Sequence, residues 1–155
     1  MRPLDNLPKF FYLRADINIK GFSNRLSFLS DAQSLPLLNK SVDLVVSIHV
    51  LEHLPNGLQA IGEISRVLSP KGVAIGMVPE RRKKETLEYY KPDPMEHYHY
   101  RAYGKGFIER LLLYFDVSLV NAKNYCSHRR LGFGSEKIFI CKNRDVDKHL
   151  KFHRF

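Results

Sequence analysis

The sequence predicts an α/β fold, a sandwich of helices on a mostly parallel sheet. Three observations predict it. VDLVVSI (42–48) and VAIGMV (73–78) are nearly unbroken apolar runs, the pattern of strands covered on both faces. Between them, Leu58, Ile61, Ile64, Val67 and Leu68 recur at spacings of three and four, which is one face of a helix. Strand and helix patterns then alternate along much of the chain.

The elements follow in order. FFYLRADI (10–17) reads as a strand that ends in an acid, and 18–24, with Gly21, reads as a loop or short helical turn. LSFLS (26–30) is a second strand, followed by Asp31, and Pro36 lies in the loop that leads to 42–48. Asn56 is the expected N-cap of the helix, and Pro70 and Gly72 are its expected stop. Residues 80–104 are polar, rich in Tyr and His, and without clear periodicity. They read as a long loop or lid. Phe107 to Leu113 reads as a helix, DVSLV (116–120) and KIFICK (137–142) as closing strands, and 143–155 as a basic tail. No internal boundary or repeat appears, so residues 1–155 read as one domain, with a core over about 10–142.

Composition narrows the class. The chain has 155 residues, 44% hydrophobic and 26% charged, which is a globular balance rather than a disordered one. No apolar run reaches the roughly 20 residues of a membrane helix. The start, MRPLDNLPKFFYLRAD, lacks the form of a signal peptide. Cys126 and Cys141 match no zinc or disulfide spacing, so they read as reduced thiols and the expected location is cytoplasmic. The net charge of +9 favours anionic or phosphorylated partners. Its sources include the runs 81–84 and 128–130. The aromatic and basic interleaving of a nucleic-acid module is missing, so nucleic acid is not the expected partner.

In an open parallel sheet, ligands bind beyond the carboxyl ends of the strands. Asp16 ends the first strand, Asp31 follows the second, and Ser47 to His53 ends the third. A carboxylate at a strand tip can accept from two ribose hydroxyls, and one on the next strand from an exocyclic amine. Each Asp can equally cap a turn. Glu52 and His53 lie near a helix N-terminus, where His53 can either do acid–base work or order the turn. No HExxH spacing is present, so no metal is expected.

These residues carry a resemblance. The segment DAQSLPLLNKSVDLVVSIHVLEHLPNGLQAIGEISRVLSPKGVAIGMVP (31–79) resembles the middle of class I S-adenosylmethionine-dependent methyltransferases of the type 11 group, which act on small molecules, lipids, sugars and quinones. The matching residues are Asp31-Ala32, Leu35-Pro36, Asp43, Leu51-Glu52-His53, Glu63-Ile64, Arg66-Val67-Leu68, Pro70 and Gly72. YLRADIN (12–18) is similar to the family's second strand, and residues 96–120 to its later loop, helix and strand.

The resemblance implies a Rossmann-like methyltransferase sandwich with S-adenosylmethionine as cofactor. Asp16, with Ile17 beside it, would face the ribose. Asp31 and the Ala32 N–H would face the adenine, and Ser47 to His49 the methionine side. His53 and His49 are the candidate general bases. His97, His99 and Tyr103 would line the wall for a small-molecule, sugar or lipid-type acceptor. The Asn/Asp-Pro-Pro-Tyr motif of amine-directed nucleic-acid enzymes does not follow the third strand, where SIHVLEH stands instead.

One departure sets a second expectation. The family's first strand and Gly-rich turn have no counterpart here, and no glycine precedes Gly21, so the domain reads as N-terminally truncated. An unpaired central edge invites a homodimer. The alternative to an enzyme is a degenerate methyltransferase fold that serves as a binding or scaffold protein.

Overall fold

A computed structural model describes residues 12–17, 26–81, 83–121 and 137–144. Its strands are β1 (Ala15–Asp16), β2 (Phe28–Leu29), β3 (Val42–Ile48), β4 (Leu68–Met77), β5 (Leu87–Asp93), β6 (His99–Ala102), β7 (Phe115–Asn121) and β8 (Lys137–Asn143). Helix α1 spans Gly57–Val67 and α2 spans Phe107–Leu111. Residues 10–11, 18–25, 82, 122–136 and the tail from 145 lie outside the described residues.

The main sheet has the order β3-β4-β8-β7. β3 and β4 run parallel, whereas β8 is antiparallel to both β4 and β7. The sheet is therefore mixed rather than mostly parallel. β1 and β2 form a separate parallel pair two residues long, shorter than the runs 10–17 and 26–30 suggest.

Helix α1 forms where the periodicity places it. Asn56 Oδ1 accepts from the Gln59 N–H at 3.0 Å, which satisfies one of the first-turn donors. Its buried stripe is Gly57, Ala60, Ile61, Ile64 and Val67, and Leu58 is left exposed. The helix stops at Val67, ahead of Pro70, and the chain turns directly into β4. That strand therefore begins five residues earlier than the apolar run 73–78, through a bulge opposite Val42 and Leu44. Gly72 sits at this bulge, where an added Cβ would lie 2.9 Å from the Val42 carbonyl oxygen.

The core joins Ile61 and Ile64 of α1 to Ala74, Phe107, Leu111, Phe115 and Phe139. Phe107 stacks at 4.2 Å on Tyr103 and meets Phe139 edge-on at 5.0 Å. β3 is covered less than its sequence implies. Val45 packs on the core, but Leu44, Val46 and Ile48 are 53%, 57% and 45% exposed. The reason is the face: Leu44, Val46 and Ile48 share the side of β3 opposite Val45, and among the described residues only the Val45 face meets the core.

The segment 80–104 is more ordered than a loop. β5 and β6 pair antiparallel within it. Asp93 caps the short turn between them by accepting from the Met95 N–H at 2.9 Å. Its polar composition hid the strands, because this hairpin presents only alternate residues to the protein.

Candidate active site at the carboxyl end of strand β3

β3 ends with the His49 N–H donating to the Met77 carbonyl at 3.0 Å. His49 then takes a left-handed backbone, φ 53°, which a non-glycine residue adopts only at a cost of about 1–3 kcal/mol. This turns the chain into a single 3₁₀ turn, Leu51–His53. Leu51 and Leu54 are buried and hold the turn against the core. Glu52, between them, is only 1% exposed.

The turn is held by β6. Side chains two apart on a strand share a face, so His99, Arg101 and, just past the strand, Tyr103 all meet the turn. Arg101, 4% exposed, donates from Nη1 to the carbonyls of Leu51 (3.0 Å) and Leu54 (2.6 Å), and from Nη2 to that of Pro55 (2.7 Å). Its Nε reaches Glu88 at 2.8 Å, and Arg110 holds the other oxygen of Glu88 at 2.7 Å. Burial works against ionisation of Glu88, but the hydrogen bonds from Arg101 and Arg110 outweigh it and hold the carboxyl below its ordinary range. Tyr103 donates to the Leu51 carbonyl at 3.4 Å. Gly57 is required beneath them, since a Cβ there would lie 2.5 Å from the Tyr103 hydroxyl.

The polar groups converge on Glu52. Its Oε1 lies 3.2 Å from His49 Nδ1, and Oε2 is buried with no hydrogen-bond partner among the described residues. Burial pushes the Glu52 carboxyl above its ordinary range, and its own backbone N–H, together with His53 and His49, offsets only part of this. The His53 and His99 rings meet edge-on at 4.6 Å, and His97 lies 6.0 Å beyond His99. The turn and β6 thus bring His49, His53 and His99 to one buried carboxylate, with His97 farther out.

Tyr103 departs from expectation. It is fully buried beneath the turn and packed on Phe107, so it does not line an acceptor wall. Arg101, by contrast, was missed. The alternation His99-x-Arg101-x-Tyr103 is a strand signal that could have placed it, but the polar neighbours obscured it.

Asp16 and Asp31 lie on the β1–β2 side. Asp16 ends β1, half-buried, and Ile17 beyond it is exposed. Asp31 caps its own turn: Oδ1 accepts from the Gln33 N–H at 2.8 Å, and both oxygens accept from Gln33 Nε2. A carboxylate has about four acceptor positions, so this leaves Asp31 capacity for a further donor. Ala32 packs against the core. Gln33 joins this loop to α1, because its Oε1 accepts from the Asn56 N–H at 2.7 Å. Ser47 is half-buried in β3, opposite Gly76.

Glu63 and Arg66 tie down the rest of the 31–40 loop. Arg66 binds Glu63 through two nitrogens and donates to the carbonyls of Leu35 and Leu37. Glu63 accepts from the Leu35 N–H at 2.8 Å. The hydrogen bond from Arg66 holds the Glu63 carboxyl below its ordinary range. Cys141 is buried, and burial pushes its thiol to about 11, so it is inert.

A family model described as a methyltransferase domain matches residues 12–76. A Mycolicibacterium smegmatis protein, described as a probable S-adenosylmethionine-dependent methyltransferase, is 36% identical over 78 residues. Over residues 12–76 the chain is thus similar to methyltransferase domains, and the cofactor named for the Mycolicibacterium relative is S-adenosylmethionine. The match covers 50% of this chain and 29% of the Mycolicibacterium relative, so the chain spans under a third of that protein's length.

Solved structures agree on the fold. The PH0226 protein of Pyrococcus horikoshii OT3 is similar with a TM-score of 0.55 and 20% identity, over 84% of this chain and 70% of that one. The [4+2]-cyclase SpnF is similar with a TM-score of 0.52 and 18% identity, over 73% of this chain and 54% of that one. Much of the matched segment is structural in this chain. Glu63 and Arg66 fasten the loop that bears Asp31, and Leu51 and Leu54 seat the turn that bears Glu52. No described helix is long and apolar enough to cross a membrane.

Proposed function

We propose that this chain is an S-adenosylmethionine-dependent methyltransferase that transfers a methyl group to a small-molecule, sugar or lipid-type acceptor. The observation that carries this reading is the His49–Glu52 pair at the tip of β3, with the His53 and His99 rings beside it. When bound, S-adenosylmethionine supplies an electrophilic methyl group. The donor set fits such a cofactor. Asp16 would accept from the ribose hydroxyls, with Ile17 beside it. Asp31 and the Ala32 N–H would face the adenine, and Ser47 and His49 the methionine side.

Methyl transfer is an in-line displacement, so positioning supplies much of the rate. The strained His49 backbone and the Arg101 clamp support that role, because they fix the turn before any ligand arrives. An acceptor hydroxyl or amine must also lose a proton. Glu52 orients the His49 ring for that task, and His53 is the neighbouring candidate. His97 and His99 would meet the acceptor. The net charge of +9 supports an anionic or phosphorylated acceptor.

A second reading is a scaffold that keeps the fold without catalysis. It is favoured by β1 and β2, which are short and stand apart from the main sheet. The test is calorimetric titration with S-adenosylhomocysteine. Micromolar binding that is lost in Asp16→Ala supports the enzyme. Absence of heat with folded protein supports the scaffold.

A further inference from the structure

We propose that Glu52, His53 and His99 bind one divalent transition-metal ion, with His49 as the residue that orients the carboxylate. One carboxylate oxygen of Glu52 and one ring nitrogen from each of the two histidines all lie within 4.8 Å of one another. Tetrahedral bonds of about 2.1 Å place ligand atoms about 3.4 Å apart, so closure takes an adjustment of at most about 1.4 Å. The set comes from two elements held together independently, since Arg101 ties the 3₁₀ turn to β6 two residues from His99.

The second observation is the orphaned oxygen. Glu52 is 1% exposed and its Oε2 lacks a hydrogen-bond partner among the described residues. A buried carboxylate oxygen left so costs stability unless a cation or proton meets it. Here the oxygen belongs to a group with two imidazoles already in reach. Two neutral imidazoles and a carboxylate form a donor set suited to zinc or its first-row neighbours rather than to magnesium or calcium. Three protein ligands leave a fourth position for water.

His49 completes the arrangement from outside. Its Nδ1 is 3.2 Å from Glu52 Oε1, which leaves the other oxygen to the metal. With the carboxylate ionised by a bound metal, Nδ1–H donates and fixes the carboxylate plane. The site escapes a reading of motifs because His99 is supplied by a distant strand and no HExxH spacing announces it. It does not depend on methyl transfer, so it stands or falls separately.

The test is titration of the chelator-stripped chain with Co²⁺, followed by calorimetry and by visible absorption, with Zn²⁺ as competitor. The expected result is one equivalent of Co²⁺ with ligand-field bands that Zn²⁺ abolishes. His53→Gln, at an exposed position, and Glu52→Gln should each weaken binding at least tenfold and remove the bands. His49→Gln should weaken binding about tenfold and keep them. His97→Gln, outside the trio, should stay within twofold. Circular dichroism identifies any variant that fails to fold, and His53→Gln alone then decides. Folded wild type that binds neither ion, or His53→Gln that binds as well as wild type, overturns the proposal.

Discussion

The tip of β3 and its exposed face are close in sequence and are built in opposite ways. At the tip, Leu51, Glu52 and Leu54 are buried, and Arg101 satisfies the carbonyl acceptors of Leu51, Leu54 and Pro55. Along one face of the strand, Leu44, Val46 and Ile48 are exposed, although their backbone pairs with β4. The difference shows where the fold concentrates its order. The turn is over-determined from two elements, whereas the loop 31–40 is held mainly by its Gln33, Glu63 and Arg66 contacts.

The contrast can be broken most strongly at Arg101. Arg101→Ala leaves buried carbonyls without a donor, with an expected loss of about 3–5 kcal/mol in denaturant unfolding. If the variant loses under 1 kcal/mol, the turn is not clamped as described. Asn56→Ala removes only the N-cap of α1. It should cost about 1 kcal/mol, and amide exchange should show fraying confined to the first turn of that helix.

Acid titration sharpens the same contrast. Glu88 has a lowered carboxyl in the folded state, so its contribution is present above its ordinary value of 4.5 and is lost as pH falls through the folded value. Glu88→Gln should flatten the fall in melting temperature below that pH and change its slope little above. An unchanged acid limb would separate Glu88 from the clamp. The smallest effect is expected on the exposed face. Val46→Thr, at a residue 57% exposed, should stay within about 0.5 kcal/mol of wild type. A much larger loss would mean that this face is covered in solution.

Much of this was legible in the sequence where one signal dominated. VDLVVSI became β3 at its expected residues, and the helix after Asn56 took its expected cap, because apolar period and capping chemistry are local. The hairpin β5–β6 was not legible. Its strands carry Tyr, His, Lys and Pro, and what stabilises them is contact with a turn far earlier in the chain. The same is true of the site. His49, Glu52 and His53 could be read from one segment, but the roles of His99 and Arg101 exist only once β6 is laid beside that segment. Tyr103 was misplaced for a related reason: a tyrosine in a polar stretch looks exposed until the strand alternation turns it inward.

The central claim is that a cofactor lies at the His49–Glu52 tip of β3. The most direct measurement is an NMR titration with S-adenosylhomocysteine that follows the histidine ring resonances. The account predicts saturable shifts of His49, smaller shifts of His53 and His99, and loss of all of them in Asp16→Ala. Saturable binding that leaves the His49 ring unmoved would contradict it.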